Sequence, residues 1–207
     1  MTITNGYATR AQLAAHLDID TDAGSSLAID AAVNSASRAI DEYCGQYFYD
    51  SGSATARTFH PDSAWKVTTP PFHTLTGLVV KTDDGDTGTF SQTWTVTTDY
   101  IYEPFDGKDD TGRTVPWCQI AAVGGRRFYG GRRPRVQVTA KWGWAAVPDE
   151  VYSATLIKAA RVFKRKDSPT GVEGGYEFGV VRVSYRDDPD VCMLLAPFRR
   201  LVDRVVL

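Results

Sequence analysis

"VPDEVYSATLIKAARVFKRK", residues 147–166, reads as one amphipathic helix, and its place after a long strand-rich stretch decides the fold. Pro148 suits the first helical position, where no amide hydrogen is needed, and Asp149 and Glu150 sit at the positive end of the helix dipole. Tyr152, Leu156, Ala159 and Phe163 recur at helical spacing, and Val151 and Ile157 widen the stripe. Lys164, Arg165 and Lys166 then fall at the negative end. A glycine-containing loop through Gly171 and Gly175 comes next, then a short strand in "GVVRVSY". A last helix opens with Asp188 as cap and Pro189 at its first position, and carries Leu194, Leu195, Phe198, Leu201, Val202 and Val205. Pro197 is expected to kink or divide it.

Upstream, the period changes. Between about 54 and 144, short runs rich in Thr, Val, Trp and Tyr alternate with Gly, Asp and Pro clusters, which predicts strands at 56–59, 78–82, 93–97, 100–103, 118–122 and 136–140. Asp84-Gly85 between two of these runs predicts a tight hairpin turn. Further upstream helix returns. In "YATRAQLAAHLDI", Thr9 and Gln12 have capping-box spacing ahead of a helix from about Arg10 to Leu17. In "SSLAIDAAVNSASRAIDEYCG", Ile29, Val33, Ala36, Ile40 and Tyr43 line one helical face, with Ser25 or Ser26 as the expected cap and Gly45 as the stop. The fold class expected is therefore α+β: a small helical bundle of two N-terminal and two C-terminal helices, with a large antiparallel β insertion. The expected segments are 1–53, 54–144 and 145–207.

Composition narrows the functions. A chain of 207 residues with 43% hydrophobic side chains can bury a core, while 23 basic against 25 acidic residues leave a net charge of −2 and no global pull toward nucleic acid or anionic membrane. Three distant cysteines, Cys44, Cys118 and Cys192, argue against a disulfide framework. No signal-peptide pattern opens the sequence, and no run approaches the ~20 apolar residues of a membrane helix. The expectation is a soluble, non-secreted protein that does not engage membranes.

Catalytic chemistry is hard to place. His16, His60 and His73 have no metal-site spacing, and Cys44 has no evident basic partner. "DDGDTG" at 83–88 and "DGKDD" at 106–110 gather carboxylates without the ligand spacing of a calcium loop, so solvated turns are the preferred reading. "GGRRFYGG" and "VEGGYEFG" lack the helix that a phosphate-binding glycine loop needs. Neither a catalytic set nor a cofactor or metal site is expected.

Two basic clusters remain. "GGRRFYGGRRPR" sets Arg126, Arg127, Arg132, Arg133 and Arg135 around Phe128 and Tyr129, the mix that can hold a phosphate backbone and stack bases; the plainer alternative is a hairpin tip between strands 118–122 and 136–140. Lys158, Arg161 and Arg165 form a stripe on the polar side of the third helix, either a solvated face matched to the dipole or a partner-facing one. In "RRLVDRVVL", Arg199 and Arg200 precede Leu201, Val202, Val205, Val206 and Leu207, an apolar run expected to need cover.

Taken in order, "YATRAQLAAHLDI", "SASRAIDEYCGQYF", "WGWAAVPDEVYSATLIKAARVFKRKDSPTGVEGG" and "FGVVRVSYRDDPDVCMLLAPFRR" resemble the head-to-tail connector proteins, or adaptors, of long-tailed double-stranded-DNA bacteriophages. The resemblance covers roughly residues 1–50 and 136–200; the strand-rich middle shares only general character. It implies a non-enzymatic virion protein, assembled in the host cytoplasm and located in the neck, that docks as a dodecameric ring beneath the portal protein. Such a ring extends the DNA channel and offers a platform to the next component, a stopper or tail terminator. Genomic DNA would pass through without sequence-specific binding. On this reading Lys158, Arg161, Arg165, Arg199, Arg200, Leu201, Val205, Val206 and Leu207 are candidates for the portal or ring interface. Arg126, Arg127, Arg132 and Arg133 are candidates for a channel or partner loop. The alternatives are another neck or tail-completion protein, or a nucleic-acid-binding module using loop 124–135; an unfamiliar hydrolase is the least favoured.

Overall fold

Residues 2–20, 23–165, 172–173, 181–182 and 188–200 are described by a computed structural model. The chain divides into two compact units, one formed by Met1–Phe48 with Val147–Leu207 and the other by Tyr49–Ala146. The structure is α+β, with four α-helices and antiparallel sheets among the described residues.

In the helical unit, α1 (Arg10–Leu17) begins with the full capping box: the Gln12 amide donates to the Thr9 hydroxyl (3.2 Å) and the Thr9 amide donates to the Gln12 side-chain carbonyl (2.7 Å). Helix α2 (Ala23–Cys44) begins two residues before Ser25, so neither serine is the cap; the Ser25 hydroxyl instead donates back to the Asp20 carbonyl. Its stop is at Gly45, whose φ of 66° suits a residue without Cβ, and the Gln46 amide reaches back to the Asp41 carbonyl as in a Schellman motif. Helix α3 (Asp149–Lys164) starts one residue later than expected, because Pro148 is extended and serves as the cap position. Asp188 accepts from the Asp190 amide at the start of α4 (Pro189–Leu195). Pro197 ends the α-helical run, and a 3₁₀ turn over Ala196–Phe198 takes its place.

The helices meet through small and branched side chains. Leu13, Ala14, Ile29, Ala32, Val33, Ala36 and Ala159 are buried together, with Tyr152, Leu156 and Phe163 closing over them. Alanines at 32, 36 and 159 let backbones approach, and each fully buried Leu, Ile or Val contributes roughly 1.5–3 kcal/mol. Helix α3 packs on α1, α2 and α4, so the C-terminal helices complete the core begun by the N-terminal ones. Tyr7 pins the leading segment to α2: its hydroxyl donates to Asp41 and accepts from the Phe48 amide, and its own amide donates to the Ser37 hydroxyl.

The strand unit holds a four-stranded sheet in the order β1 (Ala54–Phe59), β7 (Val136–Lys141), β3 (Val79–Thr82), β4 (Gln92–Trp94), and a three-stranded one in the order β2 (Lys66–Phe72), β6 (Trp117–Ala122), β5 (Tyr100–Glu103). All pairings in both are antiparallel. Strand β7 shows clean alternation, with Val136, Val138 and Ala140 buried and its other residues half-buried. A bridge between Phe72 and Trp142 joins the two sheets, and both rings are fully buried.

The structure corrects three expectations in this unit. Strand β2 is absent from the expected set; its Pro70-Pro71 pair is tolerated because β2 is an edge strand whose register shifts between Thr68 and Phe72. The β3–β4 hairpin closes through loop 83–91 rather than a two-residue turn at Asp84-Gly85, and left-handed φ values occur at Asp86 and Gly88. Strand β4 stops at Trp94, short of the expected 97, where Thr97 turns with a φ of 68°. In the region after α3, β8 (Val172–Glu173) pairs with β9 (Val181–Arg182), so part of the expected loop is itself a strand.

Candidate functional site

Helix α3 carries the first basic cluster. Lys158 and Arg161 are half-buried and Arg165 is exposed. The Arg161 guanidinium lies 3.9 Å from the Asp188 carboxylate, at the cap of α4; a partly solvated pair at that distance is worth about 0–1 kcal/mol. Residues 198–200 are laid along the end of α2. The Arg200 amide donates to the Cys44 carbonyl (2.9 Å), the Gln46 side-chain amide donates to the Phe198 carbonyl (2.7 Å), and the Arg199 guanidinium stands 5.2 Å from the Tyr43 ring. These contacts satisfy groups at a helix end that would otherwise seek water. Leu201, Val202, Val205, Val206 and Leu207 lie outside the described residues.

The arginine-rich loop 124–135 is not a hairpin tip. Its flanking strands β6 and β7 belong to different sheets, so the segment is a crossing connection. Its composition hides two structural jobs. Phe128, only 2% exposed, stacks on Trp94 with centroids 4.7 Å apart and planes at 20°, and its amide donates to the Ala64 carbonyl. Arg126 donates from Nε to Asp99 (2.8 Å), and Arg135 donates to the carbonyls of Asp83, Asp84 and Gly130. Gly124 has no alternative: its φ is 62°, and a Cβ there would stand 2.3 Å from the Thr98 carbonyl oxygen. Arg127, Arg132 and Arg133 are exposed and form no ion pair among the described residues. Thus only part of the motif faces outward.

The carboxylate loops are turn staples. Asp83 accepts from the Thr87 amide and hydroxyl and from the Gly88 amide; burial pushes its pKa up, but these hydrogen bonds together hold it below the usual range. Asp109 accepts from the Thr111 hydroxyl and amide and the Arg113 amide, which likewise lower it, the hydroxyl most. Among the described residues, no group of three His, Cys, Asp or Glu side chains is placed to hold a metal ion. Burial pushes the Cys44 thiol up to about 12, so it is neutral at physiological pH and a poor nucleophile. His73 stands 3.8 Å from the Asp50 carboxylate, a structural pairing within the strand unit.

Exposed aromatics at the ends of the strand unit escape a reading of the sequence: Trp65 is 54% and Phe105 68% exposed. No periodic signal marks them, since each sits in a loop.

No family model and no curated protein matches the sequence. Solved structures do. A chain in the neck of an empty GTA particle, computed with C6 symmetry, superposes with a TM-score of 0.56 at 18% identity, over 96% of this chain and 92% of that one. One in the neck of a native GTA particle, computed with C12 symmetry, gives 0.53 at 17% identity, with the same coverage. One in the virion of a native gene transfer agent particle gives 0.54 at 17%, again with that coverage. The fold is thus shared almost end to end, and the strand-rich segment is part of what is shared.

Proposed function

We propose that this chain is a structural head-to-tail connector of a phage-like particle: it docks as a ring beneath the portal, extends the DNA channel and presents a platform to a stopper or tail terminator. The observation that carries the reading is the fold shared over 96% of the chain with a chain in a C12-symmetric neck. The connector-like order of helical motifs supports it independently. The ring in this reading is dodecameric, which the C12 symmetry of one of those necks supports, and ring closure requires two unlike faces on each copy. On this reading the basic end of α3 (Lys158, Arg161 and Arg165), Arg199, Arg200 and the apolar run 201–207 form the ring and portal side. DNA passes through without base-specific contact, and the protein makes and breaks no bonds.

The test is to mix the purified chain with portal rings and image the product. A second ring stacked coaxially on the portal is expected; portal rings that stay bare overturn the proposal. A nucleic-acid module acting through loop 124–135 is less well supported, because Phe128 is buried and unable to stack on a base.

A further inference from the structure

The strand unit presents four outer strands, β1 and β4 in one sheet and β2 and β5 in the other, and its own residues blunt three of these edges. On β2 the outward Lys66 carbonyl accepts from the Asp62 and Ser63 amides, the outward Thr68 amide donates to the Asp62 carboxylate, and Pro70 has no amide to offer. Just past β4 the Thr95 amide donates to the Asp99 carboxylate and the Thr95 carbonyl accepts from the Asp99 amide. Just before it the Ser91 amide donates to the Thr89 carbonyl, so Thr93 alone is open. On β5 the Tyr100 carbonyl accepts from the Thr97 amide, which leaves one outward residue, Tyr102.

Strand β1 is different. The Asp83 amide donates to the Arg135 carbonyl on the β3 side of β7, in register with the β3–β7 pairs, so the odd-numbered residues of β7 face β3 while Val136, Val138 and Ala140 face β1. Their partners Phe59, Arg57 and Thr55 turn amides and carbonyls inward. Ala54, Ala56 and Thr58 therefore turn theirs outward; all three residues are exposed, and these groups have no partner among the described residues. The edge is six residues long, keeps unbroken register with β7, and contains no proline, glycine or lysine. Its one charge, Arg57, lies over the Trp142 ring with the guanidinium carbon 4.9 Å from the centroid. An edge this long, without any blunting device, is a template for another strand.

The edge is complementary to itself. Across a two-fold axis at Ala56, an antiparallel copy of β1 sets Ala54 against Thr58 and Ala56 against Ala56, so every outward amide and carbonyl meets its counterpart in the same phase. The side chains on that face are small. On the other face Thr55 stands against Arg57, so no like charges are opposed. Within this chain β1 is also the only such match in the two sheets: β3, β6 and β7 are paired on both sides, and β2, β4 and β5 offer at most one open residue in sequence. The strand that fits the open edge of one copy is thus the same strand of another.

We propose that β1 of one copy pairs antiparallel with β1 of a second about Ala56, joining the two four-stranded sheets into one. The contact is isologous and closes at two copies. Copies related by a single rotation axis cannot make it, so the pair is a form the chain takes outside a ring, and it does not rest on the ring reading.

The full-length chain is followed by analytical ultracentrifugation over a concentration series, with amide exchange read residue by residue at both ends of the series. A monomer–dimer equilibrium is expected, in which the amides of Ala54, Ala56 and Thr58 exchange at least about tenfold more slowly at the concentrated end while those of Thr55, Arg57 and Phe59 stay protected throughout. Ala56→Pro removes an outward amide and no inward bond, so it is expected to weaken dimerisation at least about tenfold with the melting temperature of the dilute chain nearly unchanged. Should that variant fail to fold, the exchange series on the parent chain decides alone. A monomer up to the solubility limit, association that runs past two copies, or a dimer without concentration-dependent protection at 54, 56 and 58 each overturn the proposal. So does a monomer in which these amides become protected only when portal rings are added, which assigns the edge to a strand of another chain. The dimer is measured without portal rings, so its failure is distinct from failure of portal docking.

Discussion

At the scale of single residues, neighbours in sequence take unrelated roles because the fold uses them differently. Phe128 fills the space against Trp94, whereas Tyr129 is about half exposed beside Arg135. Truncating Phe128→Ala removes a buried ring and leaves a cavity, so urea denaturation should show a loss of about 3–5 kcal/mol, against less than about 1 kcal/mol for Tyr129→Ala. Asp99 shows how a charge is used internally. The Thr95 amide first, and the Arg126 guanidinium second, hold its carboxyl below the usual range. A lowered folded-state pKa contributes stability that is complete above the ordinary value of about 4 and disappears as pH falls through the folded value. Asp99→Asn should therefore have a lower urea midpoint than the parent at pH 7, and the two midpoints should converge as pH falls through the lowered folded-state value of Asp99.

At the scale of elements, the ends of helices are governed by local chemistry. The reciprocal bonds of Thr9 and Gln12 satisfy two amides that α1 cannot satisfy internally. Thr9→Ala should cost about 1 kcal/mol in thermal or urea unfolding, and amide exchange in the first turn of α1 should quicken; unchanged exchange there would show that the box contributes nothing. The β3–β4 connection is closed just as locally: Asp83 accepts from residues four and five positions on, so the Asp-Gly pair within it has no need to form the turn.

At the scale of the molecule, two units share one chain, and the shared fold extends through both. The connector reading assigns the apolar run 201–207 to portal docking. Deleting those residues should abolish coaxial stacking on portal rings in micrographs while leaving the far-ultraviolet circular dichroism of the helices nearly unchanged. Stacking that persists without them would remove the run from the interface.

The sequence by itself settled several features that depend on neighbours within a turn or two, namely the α1 cap, the Gly45 stop, the Asp188 start and the break at Pro197, together with the α+β class implied by a change of period; the start of α2 and the Asp84-Gly85 turn, equally local, were misjudged from it. The candidate site was only partly legible. Clusters of like residues could be seen, but not which members are already occupied: Arg126 by Asp99 and Arg135 by backbone carbonyls on a loop some fifty positions away. Tertiary structure alone decided those partners, the edge position that tolerates Pro70-Pro71, and the placement of β6 and β7 in different sheets. The physical reason is that helix caps are closed by groups three to five residues apart, whereas sheet order and side-chain occupancy depend on contacts between segments distant in the chain, which no local pattern encodes.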